Sequence, residues 1–209
     1  MAPRLLIKLL PALLTIVQIV GPIAVVRSQS SKGTPSSQIA QRTTKNEQIK
    51  QLIKQLKSTD PRVRSRATFA LGGMGESAKS AIPDLIPLLK NQDARLRLRA
   101  ASALGNMRES AKSAIPDLIL LLKDPNESVR STAASALGRM EGSAKSAIPG
   151  LISLLKDQDG WVRLSATSAL GGMRESAKSA IPDLIPLLKD PNESVRSSAA
   201  HALGRIEPV

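Results

Sequence analysis

A single histidine, His201, and no cysteine bound the covalent and metal chemistry open to this chain. Thiolate nucleophiles, thiolate metal sites and disulfides are excluded. A Ser-His-Asp relay would have to use His201, and the flanking residues carry no nucleophile-turn pattern. The residue types that remain abundant are cationic: Lys and Arg outnumber Asp and Glu by 30 to 17. Arg62 and Arg66, and then Arg95 and Arg99, are spaced i, i+4, so on a helix each pair projects from one face. A guanidinium fork holds carboxylates or phosphates, which makes these arginines a candidate site for an acidic ligand. The chain has only two aromatic residues, Phe69 and Trp161.

These side chains need elements to hold them, and self-similarity supplies the elements. The string ESAKSAIPDLIPLLK occurs at 76–90 and again at 175–189, three periods of 33 residues apart. At that period Ile82, Leu85, Ile86 and Leu89 recur as Ile115, Leu118, Ile119 and Leu122, as Ile148, Leu151, Ile152 and Leu155, and as Ile181, Leu184, Ile185 and Leu188. Ile49, Leu52, Ile53 and Leu56 begin the series. The i, i+3, i+4, i+7 spacing is the apolar stripe of an amphipathic helix, here the A helix. Pro83, Pro116, Pro149 and Pro182 fall in its first turn, where a missing N–H costs little. Pro87 and Pro186 lie deeper and should bend the A helix in units two and five.

A second stripe, the B helix, follows a short polar turn such as DPNE. In unit two it reads Leu96, Ala100, Ala103 and Leu104 at i, i+4, i+7, i+8, and every other unit repeats it with Val63, Val129, Val162 or Val195 in the first position. Gly72, Gly105, Gly138, Gly171 and Gly204 come next and are expected to end the B helix. Met74, Met107, Met140 and Met173, with Ile206 last, are expected to plug the joint between units. The reading is five two-helix units, about 44–76, 77–109, 110–142, 143–175 and 176–209. One such pair cannot bury its apolar face alone, so the units must stack. The 33-residue period also suits ankyrin repeats, but their TPLH-type signature is absent.

The columns D/N-x-x-V-R-x-x-A-x-x-A-L-G, preceded by AIP-x-L-I-x-L-L-K, resemble HEAT repeats. More narrowly, they resemble the short HEAT-like repeats of the phycobilisome-lyase type, with NESVRSSAAHALGRI at 192–206 nearest the pattern. The resemblance implies an all-α fold, a right-handed α-α superhelix in which five repeats form an α-solenoid with the B helices lining its concave face. Asp60, Asp93, Asn126, Asp159 and Asn192 match the family's Asp column, and Arg64, Arg97, Arg130, Arg163 and Arg196 its Arg column. Their four-residue spacing is read as pairing within a structural ladder between units. Some HEAT-like relatives are enzymes that hold iron through His-Glu pairs; here Ala202 follows the lone His201, so no such site assembles. No catalytic residue, metal ligand or cofactor is assigned, and none of the residues above carries bilin chemistry.

Positions that differ between copies are free to serve binding. In the B helices they fall on one i, i+4, i+7, i+11 stripe: Arg62, Arg66, Phe69 and Gly73; Arg95, Arg99, Ser102 and Asn106; Ser128, Thr132, Ser135 and Arg139; Trp161, Ser165, Ser168 and Gly172; Ser194, Ser198, His201 and Arg205. Both aromatics and the only histidine lie on it. Residues 44–75 carry seven basic and two acidic side chains, while 175–209 carry four basic and five acidic. The expected role is a non-enzymatic scaffold that binds a protein with an acidic surface in this groove. The alternative is a phycobilisome-lyase-like helper, a bilin lyase subunit or phycobiliprotein chaperone. Nucleic acid is disfavoured by the scarcity of stacking aromatics, and an anionic membrane could meet the basic first unit.

The first 43 residues lie outside the repeat. Arg4 and Lys8 precede an uncharged run of 18 residues, Leu9 to Val26. It reads as a signal peptide, cut near Ser28 after the break at Gly21-Pro22, or as a membrane anchor spanning 9–26 within the apolar segment 5–26. Arg27, Lys32 and Arg42 follow it. Residues 29–43, rich in Ser, Gln and Thr, read as a flexible linker.

Overall fold

A computed structural model describes residues 35–207, with side chains described from Gln41 onward. Ten α-helices are present among the described residues, and no strand. The leader expected over 1–28 lies outside the described residues, and no helix among those described is long and apolar enough to cross a membrane.

Helix α1 runs Pro35–Leu56. The flexible linker expected over 29–43 is therefore helical from Pro35 onward. No Gly or Pro interrupts the sequence between Pro35 and Leu56, and Pro35 itself stands at the first helical position. The B helices are α2 (Pro61–Gly73), α4 (Ala94–Asn106), α6 (Glu127–Arg139), α8 (Gly160–Gly172) and α10 (Glu193–Ile206). Each starts at a side-chain cap. Asp60, Asp93 and Asp159 accept from backbone N–H groups two residues on, as does Asn192, and Asn126 accepts from Val129 N–H. Capping of this kind is worth about 1 kcal/mol per helix. The family's Asp column is thus a capping column; its expected pairing with the Arg four residues later is not what the structure shows.

The A helices are shorter than their stripe suggests. They are α3 (Ile82–Leu85), α5 (Ile115–Leu120), α7 (Ile148–Leu154) and α9 (Ile181–Leu184), and α3 and α9 pass directly into 3-10 turns over 86–90 and 185–189. Those two are the units with Pro87 and Pro186. Proline at the sixth position removes the N–H that would bond the first-turn carbonyl, so the α-helix stops there. Where the same position is Leu120 or Ser153, the α-helix continues. Between units, 3-10 turns over 75–81, 108–114, 141–147 and 174–180 carry the chain across.

The B helices pack side by side in sequence, α2 on α4 on α6 on α8 on α10. Their alanines, among them Ala100, Ala103, Ala133, Ala136, Ala166 and Ala169, are buried, as are Met107, Met140, Met173 and Ile206 at the joints. Where units one and four place Thr68 and Thr167 at an otherwise alanine position, each hydroxyl donates to the carbonyl four residues back at 2.8 Å. That bond satisfies a group buried in an apolar joint.

The glycine column does not end the B helices. Gly72, Gly105, Gly138 and Gly171 sit inside the last helical turn, and a Cβ on any of them would lie 2.7–3.0 Å from the Cα of Ala103, Ala136, Ala169 or Ala202 on the next B helix. Glycine is required there because two backbones nearly touch. The stop comes three residues later, at a left-handed residue: Gly75 (φ 53°), Arg108 (φ 50°), Glu141 (φ 49°) and Arg174 (φ 52°).

Candidate functional site

Two sets of arginines emerge, and their chemistry differs. Arg97, Arg130 and Arg163 are structural. Each donates from Nη1 to two carbonyls of its own preceding turn, as Arg97 does to Asn91 and Gln92 at 2.8 and 2.9 Å. Each also grips, through Nε and Nη2, a carboxylate of the next unit 27 residues on: Asp124, Asp157 and Asp190, at 2.7–2.9 Å. The same carboxylates accept from the N–H two residues ahead, which shapes the turn before the next cap. Burial pushes the Asp124 and Asp157 carboxyls up, but the arginine fork, the turn N–H and neighbouring guanidinium charge outweigh it, and both are held below the usual carboxylate range. For Asp190 the Arg163 fork is the largest influence, and the direction is the same. A ladder between units therefore exists, built on a second acidic column that sequence reasoning did not single out.

The ladder is incomplete at both ends. Unit two has Asn91 where its successors have Asp124 and Asp157, and the buried Nε of Arg64 has no hydrogen-bond partner. In unit five, Arg196 grips the carbonyls of Asp190 and Pro191 at 2.7 and 3.1 Å and forms no ion pair among the described residues.

The arginines of the variable stripe are placed differently. Arg62, Arg66 and Arg95 are exposed on α2 and α4, and among the described residues their guanidinium groups form no ion pair, although the backbone N–H groups of Arg62 and Arg95 bond the capping carboxylates of Asp60 and Asp93. The guanidinium of Arg99 lies 5.4 Å above the ring of Phe69 and donates to the Ser65 carbonyl at 3.2 Å. Phe69 is nevertheless 70% exposed and Trp161 69%. Stacking on Arg99 is a cation–π contact that spans two units and fixes the ring's orientation without covering it. Farther along, Arg139 donates to Asn106 Oδ1 at 2.9 Å, and Asn106 donates to the Gly72 carbonyl, so units one to three are stitched along this face. His201 and Arg205 are exposed and line an open hollow between α8 and α10 with Leu164, Ser168, Ser194 and Ser198.

The stripe residues thus share the exposed surface of one helical layer. The structure brings Arg99 onto Phe69 and places Arg62, Arg66 and Arg95 on the same two neighbouring helices, α2 and α4, at the basic end. It does not bring Trp161 or His201 to them, since α6 lies between α4 and α8. The Arg99–Phe69 contact was missed from sequence; its signal is a separation of 30 residues, slightly under one repeat. Among the described residues, no His, Asp or Glu cluster has metal-binding geometry.

Comparisons with known proteins agree with this architecture. A complex of CpcE and CpcF of phycocyanin lyase from Nostoc sp. PCC7120 is similar at 29% identity and a TM-score of 0.68, over 76% of this chain and 64% of that one. An engineered protein is similar at 25% identity and a TM-score of 0.64, over 76% of this chain and 78% of that one. A designed armadillo repeat protein shares the fold at 21% identity and a TM-score of 0.61, over 85% and 96%. No curated protein sequence matches the chain. The model of HEAT repeats matches residues 49–118, 110–171 and 148–208, which together span every unit. The chain belongs to the HEAT-repeat family, and its described residues form an all-helical α-solenoid of five stacked units.

Proposed function

We propose that this chain is a non-enzymatic, protein-binding scaffold whose B-helix face docks an acidic segment of a partner. The observation that carries the reading is the contrast between the two arginine sets. The guanidinium groups of Arg97, Arg130 and Arg163 each hold a carboxylate, whereas those of Arg62, Arg66, Arg95 and Arg99, on the neighbouring helices α2 and α4, form no ion pair among the described residues. Guanidinium forks without an ion pair, beside an exposed, oriented ring, suit a carboxylate-rich segment with an apolar side chain. The scaffold is exported or membrane-tethered through its apolar leader, and N-terminal sequencing of the mature protein separates a start near Gln29 from an intact leader.

The test is capture of partners from the native compartment by the wild-type chain and by R62S/R66S/R95S/R99S. Loss of an acidic partner from the quadruple variant, with unchanged thermal stability, supports the proposal. Retention of every partner overturns it. The second reading, a helper of a phycobiliprotein, draws support from the similarity to the phycocyanin lyase complex. Direct binding to purified phycocyanin, lost in the same variant, would favour it.

A further inference from the structure

The two ends of the stack carry opposite halves of one joint. Comparing columns across units shows which face each residue serves. Leu85, Leu118, Leu151 and Leu184 are buried but Leu52 is only half-buried; Leu96, Val129, Val162 and Val195 are buried but Val63 is half-buried; Ala103, Ala136, Ala169 and Ala202 are buried but Ala70 is half-buried. These columns face the preceding unit, and in unit one they are only half-buried. The complementary columns open in unit five. Leu71, Leu104, Leu137 and Leu170 are buried and Leu203 is not; Thr68, Ala101, Ala134 and Thr167 are buried and Ala200 is exposed. Ile185 and Leu188 rise to 52% and 41% exposure. Gly204, whose counterparts touch the next alanine, has nothing within 4 Å of a Cβ built on it.

We infer that copies of this chain stack head to tail, with the α10 face of one copy covering the α2 face of the next. Gly204 would then meet the next copy's Ala70, repeating the glycine–alanine approach found four times inside the stack. Arg196 would reach the loop at Ser58, which, like Asn91 at the first internal joint, offers no carboxylate. Internal joints with a carboxylate are completed by a two-pronged ion pair; this one is not, so the association is reversible. Net charge helps, since the first unit is strongly basic and the last slightly acidic. A contact between two different faces does not close on itself, so growth continues beyond a dimer.

Sedimentation velocity on the full chain, in one mild detergent across a wide concentration range, reads this directly. The wild type should form dimers and longer species as concentration rises. G204R adds a side chain into open space, leaves the fold and residues 1–34 unchanged, and should abolish association. A70R should do the same from the other end. An equal mixture of G204R and A70R retains one live face on each chain and should give dimers and nothing longer. S58D, which supplies the missing carboxylate to Arg196, should tighten association about tenfold, the equivalent of one well-formed charged hydrogen bond. A wild type that stays monomeric overturns the proposal. So does G204R associating as the wild type does, or a wild type that stops at dimers together with a mixture that gives none.

Discussion

Alanine at Gly138 and at Gly204 should move stability in opposite directions, although both glycines occupy one column of the repeat. In an unconstrained helix either change gains up to about 1 kcal/mol of helix propensity. At Gly138 the new Cβ would sit 2.7 Å from Ala169 Cα and 2.8 Å from its Cβ. Carbon atoms pack comfortably at about 3.5–4.0 Å, so α6 and α8 would have to separate by close to 1 Å. The obstacle is backbone, which cannot rotate aside, so the cost belongs at the upper end of the roughly 1–3 kcal/mol range for overpacking. Subtracting the propensity gain leaves G138A destabilised by about 1–2 kcal/mol, or about 2–8 °C in Tm for a chain of this size. G204A meets no atom within 4 Å and should gain a few tenths to about 1 kcal/mol. Urea unfolding followed by circular dichroism, on dilute protein, measures both. Equal stabilisation by the two substitutions would refute the close-approach account and restore the simpler idea that the glycines serve only to end helices.

Asn91→Asp should complete the first rung of the ladder by offering a carboxylate to the unpartnered Nε of Arg64, raising stability by about 1.5–3 kcal/mol; an unchanged urea midpoint would contradict this. Lowering the pH should weaken the fold through the same ladder. Asp124, Asp157 and Asp190 have folded-state values depressed below the unfolded one near 3.9, so their contribution is intact above about pH 4 and is lost as the pH falls through the depressed values. A plot of urea midpoint against pH should therefore be level at neutrality and drop below about pH 4, and the D124N/D157N/D190N variant should show a shallower drop. Trp161→Ala should leave Tm within about 2 °C, because exposed side chains away from buried features change stability by no more than about 0.5 kcal/mol, while Phe69→Ala, which also loses the cation–π contact with Arg99, should lower Tm by no more than about 4 °C. A larger fall in Tm would show that these rings are structural.

The repeat itself was legible because stacking makes the same packing demand every 33 residues, so the buried columns had to recur. Met107, Met140 and Met173 are buried at the joints as expected, while Met74 is half-buried, and Pro87 and Pro186, expected to bend their helices, instead end the α-helical stretch in a 3-10 turn. The Arg–Asp register was not legible. A spacing of four invited pairing within one helix, while the true partner lies 27 residues on, one repeat less the six-residue reach back into the turn. Nor could the glycine column reveal its role, since a helix terminator and a backbone contact select the same residue. The left-handed stop falls instead on Gly75 in unit one and, in the later units, on Arg108, Glu141 and Arg174, types that carry no turn signal. The stripe of variable residues could be drawn from sequence as a helical face. That Arg99 stacks on Phe69, and that the guanidinium groups of Arg62, Arg66 and Arg95 form no ion pair among the described residues, depended on distances between units.

The central claim is that partners are held on the B-helix face, and site-specific photo-crosslinking from single positions tests it most directly. A photoreactive residue in place of Trp161, on the variable stripe, should capture a partner in the native compartment. The same residue in place of Ser113, exposed on the turn between α4 and α5, should capture none. Capture from 113 with none from 161 would place the binding surface elsewhere and contradict the account.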